Sequence, residues 1–459
     1  MGGAKPVLKG KTIMKSMDRI ITPERIAYLN QLRRFEREDA LDEAKSIVGI
    51  ETCEEILSLM ELYDERMVLW YARLYDPDIG GFYYSNTARD TALFGPDLES
   101  TRQALTFFAK SGLFADDTNC VAGLPGFLRE KIVNFVRSLQ DEDGFFYHPQ
   151  WGKKIIPQRR GRDFDWAKWI LRDAGVEPIY PYATQRSADT GKTKLPDYLQ
   201  SIGAFKAHLG TMDLRNHSYP VGNWINAQTS LIHAAGEEYV KVLDDWLVDA
   251  LRPDNGLWQE EVNYDSVNGL MKISAACAGL HIHLPYSDKS IKSAIEAATS
   301  DERITFCCEF YNPWCAINSV VKLAKKNGRT DELYELQNTL WQNAPSLVRK
   351  TKEKIMTCRR DDGTFSYYTG RTIAVSQGAR VTTEGAVEGD VNATGICSTG
   401  TVYAMFMALG IPKIPIFTQE DGKLLLDIMT NAPSVKKLYK NPYGDSLPYP
   451  KELDEPKKA

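Results

Sequence analysis

The densest group of side chains able to do chemistry is Arg215-Asn-His-Ser-Tyr-Pro-Val-Gly-Asn-Trp224. It sets His217, Tyr219, Asn223 and Trp224 just ahead of a helical pattern, where a core segment would carry aliphatics. An amide and an imidazole held together can hydrogen-bond a carboxylate. Asn223 would equally serve as a helix N-cap, and His217 as a hydrogen-bonded structural histidine. A second cluster runs from Trp258 to Lys272 and carries Glu260, Glu261, Asn263 and Tyr264. A third is Glu309-Phe-Tyr311-Asn-Pro-Trp314, and a fourth is Tyr367-Tyr368-Thr-Gly-Arg371. A tyrosine has a pKa of about 10, and a neighbouring cation such as Arg371 or Lys272 lowers it by favouring the phenolate. Together these clusters suit a polyanionic or polyhydroxylated ligand. Solvated surface is the plain alternative for Glu260 and Lys272.

Other chemistries leave no trace. The chain has no GxxxxGK[ST], no strand-linked GxGxxG, no HExxH and no GxSxG. His281-Ile-His283 stands without clustered cysteines or acids, so it reads as a packed helix end rather than a metal site. The economical expectation is a reaction without metal or cofactor.

These residues need elements to position them, and the chain repeats one device four times. An acidic or amide residue runs into glycine and then into aromatics at Asp78-Ile-Gly-Gly-Phe82, Asp143-Gly-Phe-Phe146, Asn255-Gly-Leu-Trp258 and Asp362-Gly-Thr-Phe365. Three of the four follow an amphipathic segment, and Gly81, Gly144, Gly256 and Gly363 fit multiples of a period of roughly 55 residues, a length typical of helical hairpins. Glycine permits the sharp turn; the aromatics offer flat apolar surface for a sugar ring, or simply core. Helices are predicted over 23–38, from a Thr52/Glu55 capping box to Leu74, from Asp97 to Gly112, from Pro125 to Gln140, and from Asn223 to Ala235. Further segments follow to Leu409. Residues 147–195, broken by proline, glycine, arginine and tryptophan, read as a lid or binding loop, with Arg159-Arg160-Gly161-Arg162 as solvated surface. Thr364–Val381 reads as a projecting hairpin. The expected division is an N-terminal arm (1–45), a catalytic helical body (46–415) and a C-terminal helix and tail (416–459).

Composition narrows the classes. A net charge of −5 over 459 residues gives no footprint for nucleic acid or an anionic membrane, and no apolar run approaches a membrane span. The eight cysteines include no CxxC pair, and the N-terminus lacks an apolar signal core, so a reducing cytoplasmic setting is expected. Nothing in the sequence fixes the oligomeric state.

The Asn223-Trp224 pair, the hairpin rhythm and the Asp362-Gly-Thr-Phe365 turn resemble the α/α-toroid polysaccharide lyases that cleave uronic-acid polymers, over roughly residues 50–410. The resemblance implies an all-α fold, an (α/α)6 or (α/α)7 toroid with short β-hairpin insertions. It also implies β-elimination on an acidic oligosaccharide or polysaccharide. Asn223 and His217 would neutralise the carboxylate, Tyr311 would act as base and acid with Tyr264 or Tyr368 as alternates, and Arg371, Lys272, Trp258, Trp224, Asn263, His148 and Arg89 would join Tyr368 in contacting substrate. The chondroitin and hyaluronan branch carries a histidine after its Asp-Gly-aromatic turn. Here only the turn at Asp143 has one, His148, and no β-sandwich follows, so the toroid-only alginate or glucuronan type is the nearer match. The principal rival is a toroid glycoside hydrolase using two of Asp143, Asp254, Glu260, Glu261 and Asp362. A terpene cyclase, without an acidic Asp-x-Asp-Asp motif here, and an inert sugar-binding toroid rank lower.

Overall fold

A computed structural model describes residues 19–434 except 92, 117 and 189–194. Within that range the protein is all-α apart from one two-stranded antiparallel hairpin, Val375–Ser376 with Ala379–Arg380. Apart from Pro23–Val48, Ile50–Met60, Gln419–Thr430 and the short Asn86–Asp90, Cys120–Gly123 and Ala183–Ala188, the helices can be followed as six successive pairs. Glu65–Arg73 precedes Leu98–Lys110, Gly126–Ser138 precedes Pro157–Ala174, and Ile202–Leu209 precedes Ser218–Ala235. Glu237–Ala250 precedes Tyr264–Leu280, Ser287–Thr299 precedes Cys308–Lys326, and Thr330–Cys358 precedes Val391–Gly395, which continues through a π turn into Thr401–Leu409.

Second members of the pairs pack on one another. The 218–235 helix lies against 264–280, that against 308–326, and that against 401–409; the 391–395 turn lies on 98–110, which lies on 157–174. Elsewhere 287–299 lies on 330–358, and 330–358 on 50–60. Glycine sets the closest of these approaches: a methyl at Gly222 would sit 2.9 Å from the Lys272 Cβ, so only glycine lets the 218–235 and 264–280 backbones meet.

The four Gly-aromatic turns join first helices to second ones by a shared geometry. At each, the chain leaves the helix and pairs with itself: Asp76 N–H with Gly81 O (2.9 Å), Asp141 with Phe145 (2.9 Å), Arg252 with Leu257 (2.9 Å) and Arg360 with Thr364 (2.8 Å). Gly80, Gly144, Gly256 and Gly363 hold φ of +89°, +84°, +67° and +81°, so the left-handed residue of the first turn is Gly80, one before the Gly81 expected. Asp143, Asn255 and Asp362 accept the backbone N–H two residues on, at 2.9, 2.9 and 3.2 Å. Such Asx turns fix the bend without help from a ligand. The residues that follow, Phe82, Phe146, Leu257 and Phe365, are wholly buried. They are core, and do not face a binding surface.

Several local expectations change. The first helix runs on to Val48, burying Leu29, Leu41 and Ala44, because no breaker stands before Gly49. Thr52 caps nothing: it lies inside Ile50–Met60 and donates to Val48 O (2.7 Å). Residues 147–195 are not one loop, since Pro157–Ala174 is an 18-residue helix with proline in its first turn and Phe164, Ala167, Ile170 and Leu171 on its buried face. Arg159 is not solvated but wholly buried. The hairpin at 375–380 does not project; Val375 and Ala379 are buried, and the Ser376 carbonyl accepts from Arg159 (2.9 Å).

Candidate functional site

A cavity of about 480 Å³ opens among the second helices, bounded by 98–110, 157–174, 308–326 and the 396–409 segment. That is within the usual range for small-molecule sites. Its charged lining residues are Arg102, Lys110 and Lys413, all cationic, and its aromatic ones are Trp169, Tyr311 and Tyr403. The Arg102 guanidinium stacks 3.3 Å over the Trp169 ring, and Lys110 and Lys413 stand 5.8 and 4.7 Å from the Tyr403 ring centre. Arg102 Nη1 is enclosed and makes no hydrogen bond within the protein. Burial pulls its pKa down to about 10, which still leaves it charged at neutral pH. A desolvated cation over an aromatic face is a strong receptor for an anion.

Tyr311 comes from the first turns of the 308–326 helix and shares this wall with Cys315, one turn on. Burial pushes the Tyr311 phenol well above its ordinary value, and Cys315 pushes the same way. Tyr311 is therefore set to hold its proton, opposite to the lowered pKa expected of a base. Burial raises the Cys315 thiol to about 11, while Tyr311, Lys272 and Lys110 pull it back.

Around this wall lie other candidates. Tyr219 accepts a hydrogen bond from Asn223, one turn along the 218–235 helix, and feels Cys308 of the 308–326 helix. Cys308 Sγ lies 3.7 Å from the Tyr367 hydroxyl, whose ring meets Tyr368 edge-on at 5.1 Å. Lys272 is half-buried and its charge reaches Cys315. Of the expected residues Tyr311, Lys272, Asn223 and Tyr368, only Tyr311 is among the residues lining the cavity, and Asn223 is exposed.

The remaining expected site residues have other duties. His217, not Asn223, occupies the N-cap position of its helix, its side chain exposed and making no capping bond; Asn223 lies a turn and a half inside. Trp224 packs on His208 and Tyr198, at 5.0 and 5.5 Å. Trp258 is core, its indole N–H donating to Leu247 O (2.9 Å). Asn263 caps the 264–280 helix in a reciprocal box with Ser266. Tyr264 is buried and takes a hydrogen bond from Lys354, which also donates to Ala298 O (2.9 Å) at the end of the 287–299 helix. Burial holds Lys354 down to about 8 and pushes Tyr264 well up. Arg89 pairs with Asp90 (2.7 Å), and Arg371 stacks over Tyr368 (4.7 Å) with Glu384 at 3.7 Å.

His148 belongs to a sealed ionic cluster. Its Nδ1 accepts from Gln150 N (3.2 Å), and its Nε2 lies 3.9 Å from Asp97, an ion-pair separation rather than a hydrogen bond. In the same cluster Arg159 binds Glu99 (2.6 Å), Asp163 (2.9 Å) and Asp97 (3.3 Å). One guanidinium cannot neutralise three carboxylates; burial pushes Glu99 up to about 7 and raises Asp163 too. Burial opposes the charge on Asp97 as well, but His148 and Arg159 hold its pKa below the usual range.

Arg102, Lys110, Trp169, Tyr403 and Lys413 were not among the sequence candidates. Their only signal is spacing: Arg102, Thr106 and Lys110 form an i, i+4, i+8 polar stripe that reads as a solvent face. Among the described residues no group of three or more His, Cys, Asp or Glu is arranged to hold a metal ion, and no helix is long and apolar enough to cross a membrane. No family model, curated protein or solved structure matches this chain.

Proposed function

We propose that the cavity binds an acidic, hydroxyl-rich saccharide and that the protein is a lyase acting on uronic-acid glycans by β-elimination, the six second helices closing as an (α/α)6 ring around it. The observation that carries this reading is the joining of a proton-holding tyrosine, Tyr311, to a wall whose charged groups are all cationic. Abstraction of the proton next to a uronate carboxylate builds charge on an already anionic group, so fixed donors must stand where that charge grows. Losing one such donor costs about 10²- to 10³-fold. Arg102 supplies such a donor. Tyr311 gives its phenolic proton to the leaving oxygen as that bond breaks, a role that its raised pKa suits, and the phenolate so formed takes the proton from C5, so that the tyrosine ends the reaction protonated; such acid and base help contributes roughly 10²- to 10⁴-fold.

Hydrolysis has less support. Two opposed carboxylates are required, about 5 to 9 Å apart. Among the described residues the lining of the cavity includes neither Asp nor Glu, Asp143 and Asp362 are spent on their own turns, and Asp254 pairs with Arg252 (2.9 Å) on the surface. The decisive assay incubates the protein with alginate, glucuronan, polygalacturonate and chondroitin while recording absorbance at the unsaturated-uronate band. Product with that chromophore supports elimination. Reducing sugar without it would sink the lyase reading, and Tyr311→Phe should abolish the signal while sparing binding.

A further inference from the structure

The cavity's cations are not gathered at one point. Arg102 and Lys110 lie on one helix eight residues apart, so their Cα atoms stand about 12 Å apart along its axis. Arg102 lies at the enclosed end, with Nη1 shut off from solvent and unpaired. Its guanidinium carbon stands 3.3 Å from the Trp169 ring centre, and a guanidinium carries the fork of N–H donors suited to a two-pronged grip on a carboxylate or phosphate. Asp173, whose field reaches Arg102, forms its ion pair with Arg172 (3.1 Å). At the other end Lys110 and Lys413 are both exposed and flank the half-buried ring of Tyr403, a mouth where flexible ammonium groups meet water.

We infer that the cavity is a two-point receptor for a ligand with two separated anionic groups, one gripped by Arg102 against Trp169 and the other held between Lys110 and Lys413. A ligand with a single acid can engage only one of the two ends. The saccharide form of this inference rests on the function proposed above: the shortest well-bound substrate then carries two uronate residues.

Isothermal titration of the full chain carrying Tyr311→Phe, which suppresses turnover, tests it. The probes are mono- to tetramers of mannuronate, guluronate, glucuronate and galacturonate, with inorganic tripolyphosphate as a polyanion lacking sugar. Affinity should rise at least tenfold once an oligomer gains its second well-placed acid. Arg102→Gln should cost the longer oligomers at least tenfold, Arg102→Lys should restore part of this, and Lys110→Gln with Lys413→Gln should reduce them to the affinity of the monomer. Equal binding of monomer and tetramer, or of wild type and Arg102→Gln with circular dichroism unchanged, overturns the inference. If the chain with Tyr311 intact turns uronates over and Arg102→Gln leaves that turnover unimpaired, the two-point receptor and the donor role of Arg102 both fall while elimination itself stands. If tripolyphosphate binds with both dependences while no uronate binds, the receptor stands and the saccharide reading falls. Binding of no probe overturns both.

Discussion

Two glycines with nearly the same backbone angle separate conformational strain from steric clash. Gly256 has φ +67° and Gly175 has φ +66°, so alanine pays the same left-handed penalty at each, about 1–2 kcal/mol. Their surroundings differ. Nothing lies within 4 Å of a methyl built at Gly175, which ends the 157–174 helix in solvent. At Gly256 the methyl would overlap Ser290 N and lie 2.6 Å from Ser290 Oγ and 2.8 Å from Tyr286 O. Ordinary contact begins near 3.4 Å, so the start of the 287–299 helix must retreat by the better part of an ångström. That retreat strains the hydrogen bonds from Ser290 Oγ to Gly256 O and from Ser293 Oγ to Asn255 O, both 2.7 Å. Overpacking costs about 1–3 kcal/mol, and weakening two hydrogen bonds about 1 kcal/mol each. Gly175→Ala should therefore lose about 1–2 kcal/mol and Gly256→Ala about 4–7 kcal/mol. Urea denaturation read by far-ultraviolet circular dichroism measures both, with tryptophan fluorescence checking that the transitions coincide. Equal losses in the two variants would refute the claim that the turns are docked against the neighbouring helix.

Three further outcomes are expected. Arg159→Met strips the one cation from three buried carboxylates and should cost about 3–5 kcal/mol; Arg159→Lys should not rescue it, since one ammonium cannot span Asp97, Glu99 and Asp163, and chemical denaturation of both variants decides this. Lys354→Met should lose about 1–3 kcal/mol by leaving Ala298 O and the Tyr264 hydroxyl without their donor, while Tyr264→Phe retains turnover of uronate polymer; a Tyr264→Phe enzyme without activity would return that tyrosine to the catalytic set. Iodoacetamide labelling of Cys315, followed by peptide mass spectrometry, should accelerate about tenfold per pH unit from 8 to 10, because the thiolate is the reactive form and the thiol stands at about 11. A plateau near pH 9 would contradict the buried setting, and a bound acidic oligosaccharide should slow labelling at every pH.

The repeated turns were legible because they are local. Each needs one glycine with positive φ and one Asp or Asn reaching two residues ahead, and both requirements are written in adjacent positions. The all-helical character was legible for the same reason, as a period in the sequence. Failures came where a local rule met a distant partner. Arg159 reads as surface in an arginine-rich stretch, yet three acids from elsewhere in the fold surround it. Tyr264 reads as a candidate base, yet Lys354, 90 residues away, claims its hydroxyl.

The sequence by itself determined the turns and the predominantly helical character, since these depend on propensity and spacing within short windows. Only the tertiary structure decided which polar groups share a cavity. Arg102, Trp169, Tyr311 and Lys413 come from four separate stretches, and their convergence depends on how the second helices pack. Whether a polar stripe faces water or an enclosed space has no signature along the chain. The same Arg102-Thr106-Lys110 spacing serves either, and only the packing of neighbouring helices places it on the wall of a cavity.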